Sequence, residues 1–249
     1  MDVYCDFRDD GGGGRIGWTL VMLNNKGTSC PGRGGTHASW DNVVNKNIIA
    51  AAGFSTHVIP NHENYPRKSS SYLKGLSWMV GLKYWNALGD TLMIEMGSFD
   101  SSHDRVIVNR AETNEGDFGL NQGQDYMLKL ESMTVTKGNT NPNIYWEDPN
   151  IPHILKANGA KFSTYDNAND EDSCVGNYNN APWWYRSCNK DWKGYTPWGD
   201  CLSNGYGPMW NANSHQPHAA IWVRCSGSNP LVDTNTGKLQ SPCRVNRNY

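Results

Sequence analysis

The side chains best suited to bind a ligand lie in one stretch of the chain, residues 161–188. Its first half places side-chain oxygen atoms close together, at Asp166, Asn167, Asn169, Asp170 and Asp172. Hard cations such as calcium take about six to eight oxygen ligands from carboxylates, amides and backbone carbonyls. The spacing therefore indicates a calcium-binding loop. The alternative reading of the same residues is a solvated turn rich in Asp and Asn.

The second half of this stretch is aromatic and is bounded by two cysteines. Pro182, Trp183, Trp184 and Tyr185 lie between Cys174 and Cys188. A loop with a cysteine at each end can be closed covalently, and a closure of this length adds roughly 3 kcal/mol in the chain-entropy model. An acidic loop that runs directly into such an aromatic loop favours a binding site held in a fixed shape.

The aromatic residues and amides near Cys188 suit a carbohydrate ligand. Sugar rings stack their C–H faces on Trp and Tyr side chains, while their hydroxyls need fixed polar partners such as Asn and Asp. For Trp183 and Trp184 the alternative is a place in the core, which we expect for one of the two. For His215 the alternative is an ordinary surface position. The predicted ligand-binding residues are Trp184, Tyr185, Asn189, Tyr206, Trp210 and His215.

Composition excludes several other functions. The formal net charge is −2 with no basic stripe, which argues against nucleic acid as a partner. No apolar run approaches about 18 residues, so we expect no membrane span. There is no H-E-x-x-H or G-x-S-x-G motif, and we expect no enzymatic activity. Eleven Trp, 12 Tyr, 26 Gly and seven Cys are typical of a loop-rich secreted domain, in which an odd cysteine count leaves one thiol over.

Hydrophobic patterning predicts one α+β domain over residues 1–249, with a central antiparallel sheet, short helices and a loop-rich C-terminal region. Alternation at Leu92, Ile94 and Met96, with Glu95 on the opposite face, indicates a half-buried strand. Residues 137–160 are rich in Asn, Pro and Gly and predict a long loop. The predicted strands are 16–23, 91–96, 105–109, 126–135 and 220–225, and the predicted helices are 40–54 and 68–85.

Two motifs resemble signatures of the fibrinogen-like C-terminal domains, a family that includes ficolins and tachylectins. One has the form F-S-T-x-D-x-D-N-D, then N-C-A, then W-W-Y-x-x-C. The other is V-Y-C-D, a glycine run and W-T-L-V, matched here by residues 3–6, 11–14 and 18–21. The residues that match the first signature are Phe162, Ser163, Thr164, Asp166, Asn169, Asp170, Cys174, Trp183, Trp184, Tyr185 and Cys188.

The resemblance implies specific roles for this stretch. It implies a Cys174–Cys188 disulfide and a calcium ion whose first carboxylate is Asp166. Ala168 stands where the family has its second aspartate, so either Asp170 or Asp172 replaces that ligand or the calcium site is lost. In ficolin-like lectins an acetyl-accepting pocket lies beside the calcium site, and Asn189 stands where a histidine often follows the second cysteine. The family also pairs the cysteine of V-Y-C-D with one upstream, so we expect the domain to begin before residue 1.

Together these observations predict a secreted lectin. Calcium would order the acidic loop, and the aromatic loop would bind glycans or glycoproteins through acetylated or other terminal sugars. Because single-site sugar affinities are weak, we expect a homo-oligomer that gains avidity. The alternative is a protein-binding adhesion or receptor-ligand domain, in which the same surface contacts a protein receptor.

Overall fold

The computed structural model describes thirteen segments of the chain. They are residues 5–9, 15–25, 39–45, 48–51, 70–73, 91–99, 105–138, 153–170, 174–177, 182–186, 209–211, 214–215 and 218–224.

The main element in the described segments is an antiparallel sheet of eight strands. The strands of this sheet are β1 Cys5–Asp9, β2 Arg15–Asn25, β3 Ile48–Ala51, β4 Ser70–Leu73, β5 Thr91–Phe99, β6 Arg105–Glu112, β9 Thr134–Lys137 and β14 His218–Arg224. Their order along the sheet is β3-β4-β2-β14-β5-β6-β9, and β1 also pairs with β2. The predicted central antiparallel sheet is therefore confirmed.

The C-terminal strand β14 lies in the middle of the sheet. It pairs with β2 on one side, for example Ile221 with Met22, and with β5 on the other, where Ile221 faces Ile94. Its residues 219–223 are all buried. A strand between two neighbours with both faces covered reads as a continuous apolar run, as A-A-I-W-V does here. The prediction of a final strand is confirmed over 220–224, and Cys225 lies outside the described segments. The central place of this strand could not be read from the pattern.

Strand β5 is buried on both faces, which corrects the prediction of a half-buried strand. Glu95 is fully buried and lies opposite Arg110 of β6, whose Nη2 and Nε atoms are 2.7 Å and 2.8 Å from Glu95 Oε1. A buried carboxylate requires such a charged hydrogen-bonding partner. The pattern placed Glu95 correctly on the opposite face from Leu92 and Ile94, but it gave no sign that this face is covered too.

A glycine is required where β5 meets β6. The register shifts between Met96 and Gly97, which is an irregularity of the β-bulge type. A Cβ atom on Gly97 would lie 2.0 Å from the carbonyl oxygen of Val106. Only glycine allows the two backbones to approach this closely.

Beyond the large sheet, a hairpin connects to the site. Strand β7 (Phe118–Asn121) pairs with β8 (Met127–Leu130) around a 3₁₀ turn at Gln122–Gln124. The prediction of one strand over 126–135 is wrong, because β8 ends at Leu130 and β9 begins at Thr134 in a different sheet. The prediction for 105–109 is confirmed within β6.

Helices are few and short in the described segments. Helix α1 is Trp40–Asn45, α2 is His153–Lys156 and α3 is Cys174–Asn177. The predicted helix 40–54 is right at its start but wrong over 48–51, which form β3. The predicted helix 68–85 is wrong at 70–73, which form β4, and its remainder from 74 lies outside the described segments. Helix α2 falls inside the predicted loop 137–160.

Candidate functional site

Two short strands join the halves of the stretch singled out in the sequence. Strand β10 (Phe162–Ser163) pairs antiparallel with β11 (Trp183–Trp184), so that Phe162 lies opposite Trp184 and Ser163 opposite Trp183. The pairing brings the acidic loop, which follows β10, to the aromatic segment. The structure therefore places these two motifs side by side.

The aromatic side chains of this strand pair form a packed cluster. Phe162 and Trp184 meet edge to face with centroids 4.7 Å apart, and Trp183 and Trp184 do so at 5.1 Å. Phe162 is fully buried and the two tryptophans are 2% and 3% exposed. The indole Nε1 of Trp184 donates a 2.8 Å hydrogen bond to the carbonyl oxygen of Tyr126. Buried indoles need such an acceptor, so the cluster is fixed in orientation as well as in position.

The turn before β8 supports this cluster from the other side. Asp125 and Tyr126 both have positive φ, 53° and 54°, a conformation that few non-glycine residues adopt. The carbonyl of Asp125 accepts a 3.0 Å hydrogen bond from the Phe162 N–H, and its carboxylate pairs with Lys161 Nζ at 3.1 Å. The left-handed turn thus presents two successive carbonyls, of Asp125 and Tyr126, to the strand pair.

The acidic loop is a tight turn held by its own hydrogen bonds. Thr164 and Asn167 exchange backbone hydrogen bonds of 3.0 Å and 3.2 Å across the turn. The Thr164 hydroxyl donates to Asp166 Oδ1 at 2.7 Å. Asn169 is fixed twice, since its N–H donates to Ser163 Oγ at 3.1 Å and its Nδ2 to the Phe162 carbonyl at 2.8 Å. These hydrogen bonds within the protein therefore hold the turn together.

Asp166 also connects the loop to the N-terminal part of the chain. Its Oδ1 accepts a 2.8 Å hydrogen bond from the N–H of Trp40, the first residue of α1. Ser39 accepts from the Asn42 N–H at 3.4 Å at the same helix end. The first N–H groups of a helix have no partner within it, and carboxylates are suited to satisfy them. Asp166 thus performs a structural task that the sequence did not indicate.

Asp170 performs a similar task at α3. Its Oδ2 accepts a 2.8 Å hydrogen bond from the Val175 N–H, near the start of that helix. Its other oxygen, Oδ1, is buried and has no hydrogen-bond partner. A buried carboxylate oxygen without a donor carries a desolvation cost, which a bound cation would relieve.

The residues of this loop fit a calcium ion only in part. The unsatisfied Asp170 Oδ1 is suited to a cation, whereas Asp166 Oδ1 already accepts two hydrogen bonds and Ala168 offers no side-chain ligand. Among the described residues no group of three or more His, Cys, Asp or Glu side chains could hold a metal. Asp172 lies outside these residues, so the full predicted set of three carboxylates cannot be compared with the structure.

The predicted ligand-binding residues fall into three groups. Trp184 and Tyr185 are buried, at 3% and 2% exposure, so neither presents its ring face to solvent. Trp210 and His215 lie on the paired strands β12 (Met209–Asn211) and β13 (Ser214–His215). Asn189 and Tyr206 lie outside the described residues. Contact between any of the six and a ligand stays a prediction.

Cys174 opens α3 and is fully buried. It is disulfide-bonded. Its predicted partner, Cys188, lies outside the described residues, so the Cys174–Cys188 pairing stays a prediction.

One exposed aromatic residue in the loop was missed by the sequence analysis. Tyr165 is 50% exposed and lies at the tip of the turn between Thr164 and Asn167. It occupies the variable position of the F-S-T-x-D signature, where a motif comparison gives no weight to the residue type. The available signal for its exposure was its position within a turn rich in Asp and Asn, because turns usually lie at the protein surface.

Comparison with known proteins gives one weak similarity. The chain is 27% identical over 195 residues to the mouse (Mus musculus) protein "Fibrinogen C domain-containing protein 1", a match that covers 76% of this chain and 32% of the mouse protein. The chain thus spans about a third of the length of that relative. No protein-family model matches the chain. The similarity supports a fibrinogen-like domain, and the likeness to ficolins and tachylectins stays a prediction.

Proposed function

We propose that the chain is an extracellular recognition domain of the fibrinogen-like type and that it binds carbohydrate at the surface formed by the acidic loop and its neighbours. The similarity to a mouse fibrinogen C domain-containing protein supports the domain type and an extracellular location. The part of the chain that the structure describes holds no helix long and apolar enough to cross a membrane.

The observation that carries this proposal is the preformed acidic loop. Its turn is closed by the Thr164–Asn167 hydrogen bonds and tied to α1 through Asp166 and to α3 through Asp170. A ligand that binds a preformed loop does not have to supply the free energy of ordering it. This matters for sugars, whose single-site affinities are weak. Several copies of the domain in a homo-oligomer would add the avidity that one site lacks.

Calcium belongs to the proposal as the ion that completes the loop. Asp170 Oδ1 would hold it, together with Asp172 and the second carboxylate oxygen of Asp166, Oδ2. The ion would supply positive charge to the buried Asp170 oxygen that lacks a hydrogen-bond donor. It would therefore add stability to a loop that already has its shape.

A second candidate is a protein-binding domain, which a different observation favours. Val106 and Val108 are 42% and 41% exposed and lie two residues apart, hence on one face of β6. Exposed apolar side chains on a strand suit contact with another protein more than with a sugar. Enzymatic activity is not proposed, in line with the absence of catalytic motifs in the sequence.

Glycan-array binding of the purified chain, in calcium and again in EDTA, tests the proposal. We expect binding to terminal sugars that falls when calcium is removed. Binding that persists in EDTA would retain the lectin and remove the ion from its mechanism. No binding under either condition would contradict the carbohydrate proposal and favour a protein partner.

Variants of two predicted contact residues test where on the protein the glycan binds. We expect Asn189→Ala and Tyr206→Ala each to weaken glycan binding while thermal unfolding stays near that of the wild type. Tyr185 is unsuitable for this purpose because it is buried, so its loss would disturb the fold. Unchanged binding in both variants would contradict the predicted site.

A further inference from the structure

The burial of Trp183 and Trp184 leaves the question of which aromatic face a sugar could reach. Trp183, Trp184 and Tyr185 are at most 3% exposed, and Phe162 is fully buried beneath them. Among the described residues the exposed large hydrophobic side chains are Val106, Val108 and Tyr165. Tyr165 is therefore the aromatic residue of this described set that presents its ring at the surface.

Several hydrogen bonds hold the backbone around Tyr165. Thr164 is fully buried, and it forms both backbone hydrogen bonds with Asn167 as well as the side-chain bond to Asp166. Asp166 is tied in turn to Trp40. The half-exposed Tyr165 thus lies in a turn whose two flanking residues are both held by hydrogen bonds.

The neighbours of Tyr165 suit a polyhydroxylated ligand. Asp166, next in the chain, is exposed, and Asn167 is half-buried. An aromatic face carries partial negative charge and attracts the weakly positive C–H groups of a sugar ring, while carboxylate and amide groups accept and donate hydrogen bonds to hydroxyls. An apolar partner would bury the exposed Asp166 carboxylate without adding a hydrogen bond to it, which is unfavourable.

From this arrangement we propose that Tyr165 supplies the aromatic face on which a sugar ring stacks. The inference rests on the proposed carbohydrate function and names the contact residue of that same site. It moves the stacking contact from the tryptophan pair, which packs the base of the site, to the tip of the acidic loop.

Three variants test the proposal: Tyr165→Ala, Tyr165→Phe and, as an exposed control on another element, Val108→Ala. Each variant and the wild type are applied to an array of terminal N-acetylhexosamines and neutral hexoses. The monosaccharide that the wild type binds most tightly is then titrated into each protein by calorimetry. We expect Tyr165→Ala to weaken binding by about tenfold or more, because it removes the ring. Tyr165→Phe and Val108→Ala should stay within about threefold of the wild type, because the ring or the whole site is retained.

The outcomes separate this inference from the proposed function. A wild type that binds sugars and a Tyr165→Ala variant that binds them equally would overturn the inference and leave the lectin standing. A wild type that binds no sugar on the array overturns both. An equal loss in Val108→Ala would also overturn the inference, because the effect would not be specific to the loop.

A chemical measurement on the wild type avoids reliance on a variant that fails to fold. Tyr165 is half exposed and should be nitrated by tetranitromethane, with the modified peptide identified by mass spectrometry. Saturation with the monosaccharide that binds most tightly on the array should lower the extent of nitration at Tyr165 several-fold. Equal nitration with and without that sugar would contradict stacking on this residue.

Discussion

At the scale of single residues, the acidic side chains of this loop have more than one task. Asp166 accepts hydrogen bonds from the Trp40 N–H and the Thr164 hydroxyl with one oxygen atom. Asp170 accepts one from the Val175 N–H and keeps a second, buried oxygen without a donor. The same residues that suggest a metal site therefore also stabilise the ends of two helices, and substitution separates the two roles.

Asp166→Ala should destabilise the protein in the absence of any metal. The change removes the acceptor at the start of α1 and the partner of the Thr164 hydroxyl, which together should lower the free energy of unfolding by about 1–2 kcal/mol. The measurement is urea unfolding in EDTA. Glu131→Ala is the matched control, because it removes an exposed carboxylate that pairs with Lys129 at 2.9 Å.

That control should change stability by no more than about 0.5 kcal/mol, as surface ion pairs usually contribute little. Equal unfolding midpoints for Asp166→Ala and the wild type would show that the link between the loop and α1 does not contribute to stability.

The residue scale also shows what sequence reasoning could and could not predict. The motif F-S-T-Y-D correctly marked a loop beside the tryptophan pair, because both parts of the signature lie on paired strands. It could not show that Trp184 is covered while Tyr165 is exposed, because burial depends on segments distant in the chain. For the same reason Glu95 looked like a solvent-facing residue, although its partner Arg110 lies in the next strand.

At the scale of elements, the local hydrophobic pattern predicted strands with strong alternation reliably. It was unreliable where pairing with another strand decides between helix and strand. The I-I-A-A segment of β3 continues the apolar pattern of α1 and was predicted as helix, yet it pairs with β4 in the sheet. Such short apolar runs fit either structure by periodicity alone. Strand β14 shows the same limit, because its place between β2 and β5 depends on pairing across more than a hundred residues.

The contact between β5 and β6 gives a prediction at this scale. Gly97→Ala would place a Cβ atom 2.0 Å from the Val106 carbonyl oxygen, so the two strands must separate. We expect a loss of about 2 kcal/mol or more in the free energy of unfolding, since overpacking against backbone cannot be relieved by a rotamer change. Urea unfolding of the variant measures this loss.

Gly123→Ala is the matched control for that substitution. A Cβ atom on Gly123 would lie at an ordinary 3.6 Å from Asn121 Oδ1. This variant should remain within about 0.5 kcal/mol of the wild type. If Gly97→Ala were equally mild, the close approach of the two strands would not be needed for the fold.

At the scale of the whole molecule, one buried cluster joins the large sheet to the candidate site. It runs from Ile94 and Ile221 in the central strands, through Leu128 of the hairpin, to Phe162 and Trp184 under the acidic loop. This continuity is compatible with the predicted single domain. Because the loop rests on the same core as the sheet, an ion bound at the loop should stabilise the entire fold against unfolding.

Calcium should therefore raise the thermal unfolding midpoint of the whole protein. A ligand at about 100 times its dissociation constant stabilises the folded state by about 2.7 kcal/mol, which corresponds to roughly 5–10 °C for a chain of this size.

Asp170→Asn should abolish this rise in the unfolding midpoint, because the buried Oδ1 would lose its charge. Asp117→Asn, which alters a carboxylate away from the loop, should retain it. Scanning calorimetry in calcium and in EDTA distinguishes these results. If calcium raised the unfolding midpoint of Asp170→Asn as much as that of the wild type, any bound ion would lie elsewhere. If calcium did not raise the midpoint of the wild type, Asp166 and Asp170 would have only the structural role of accepting hydrogen bonds from the two helices.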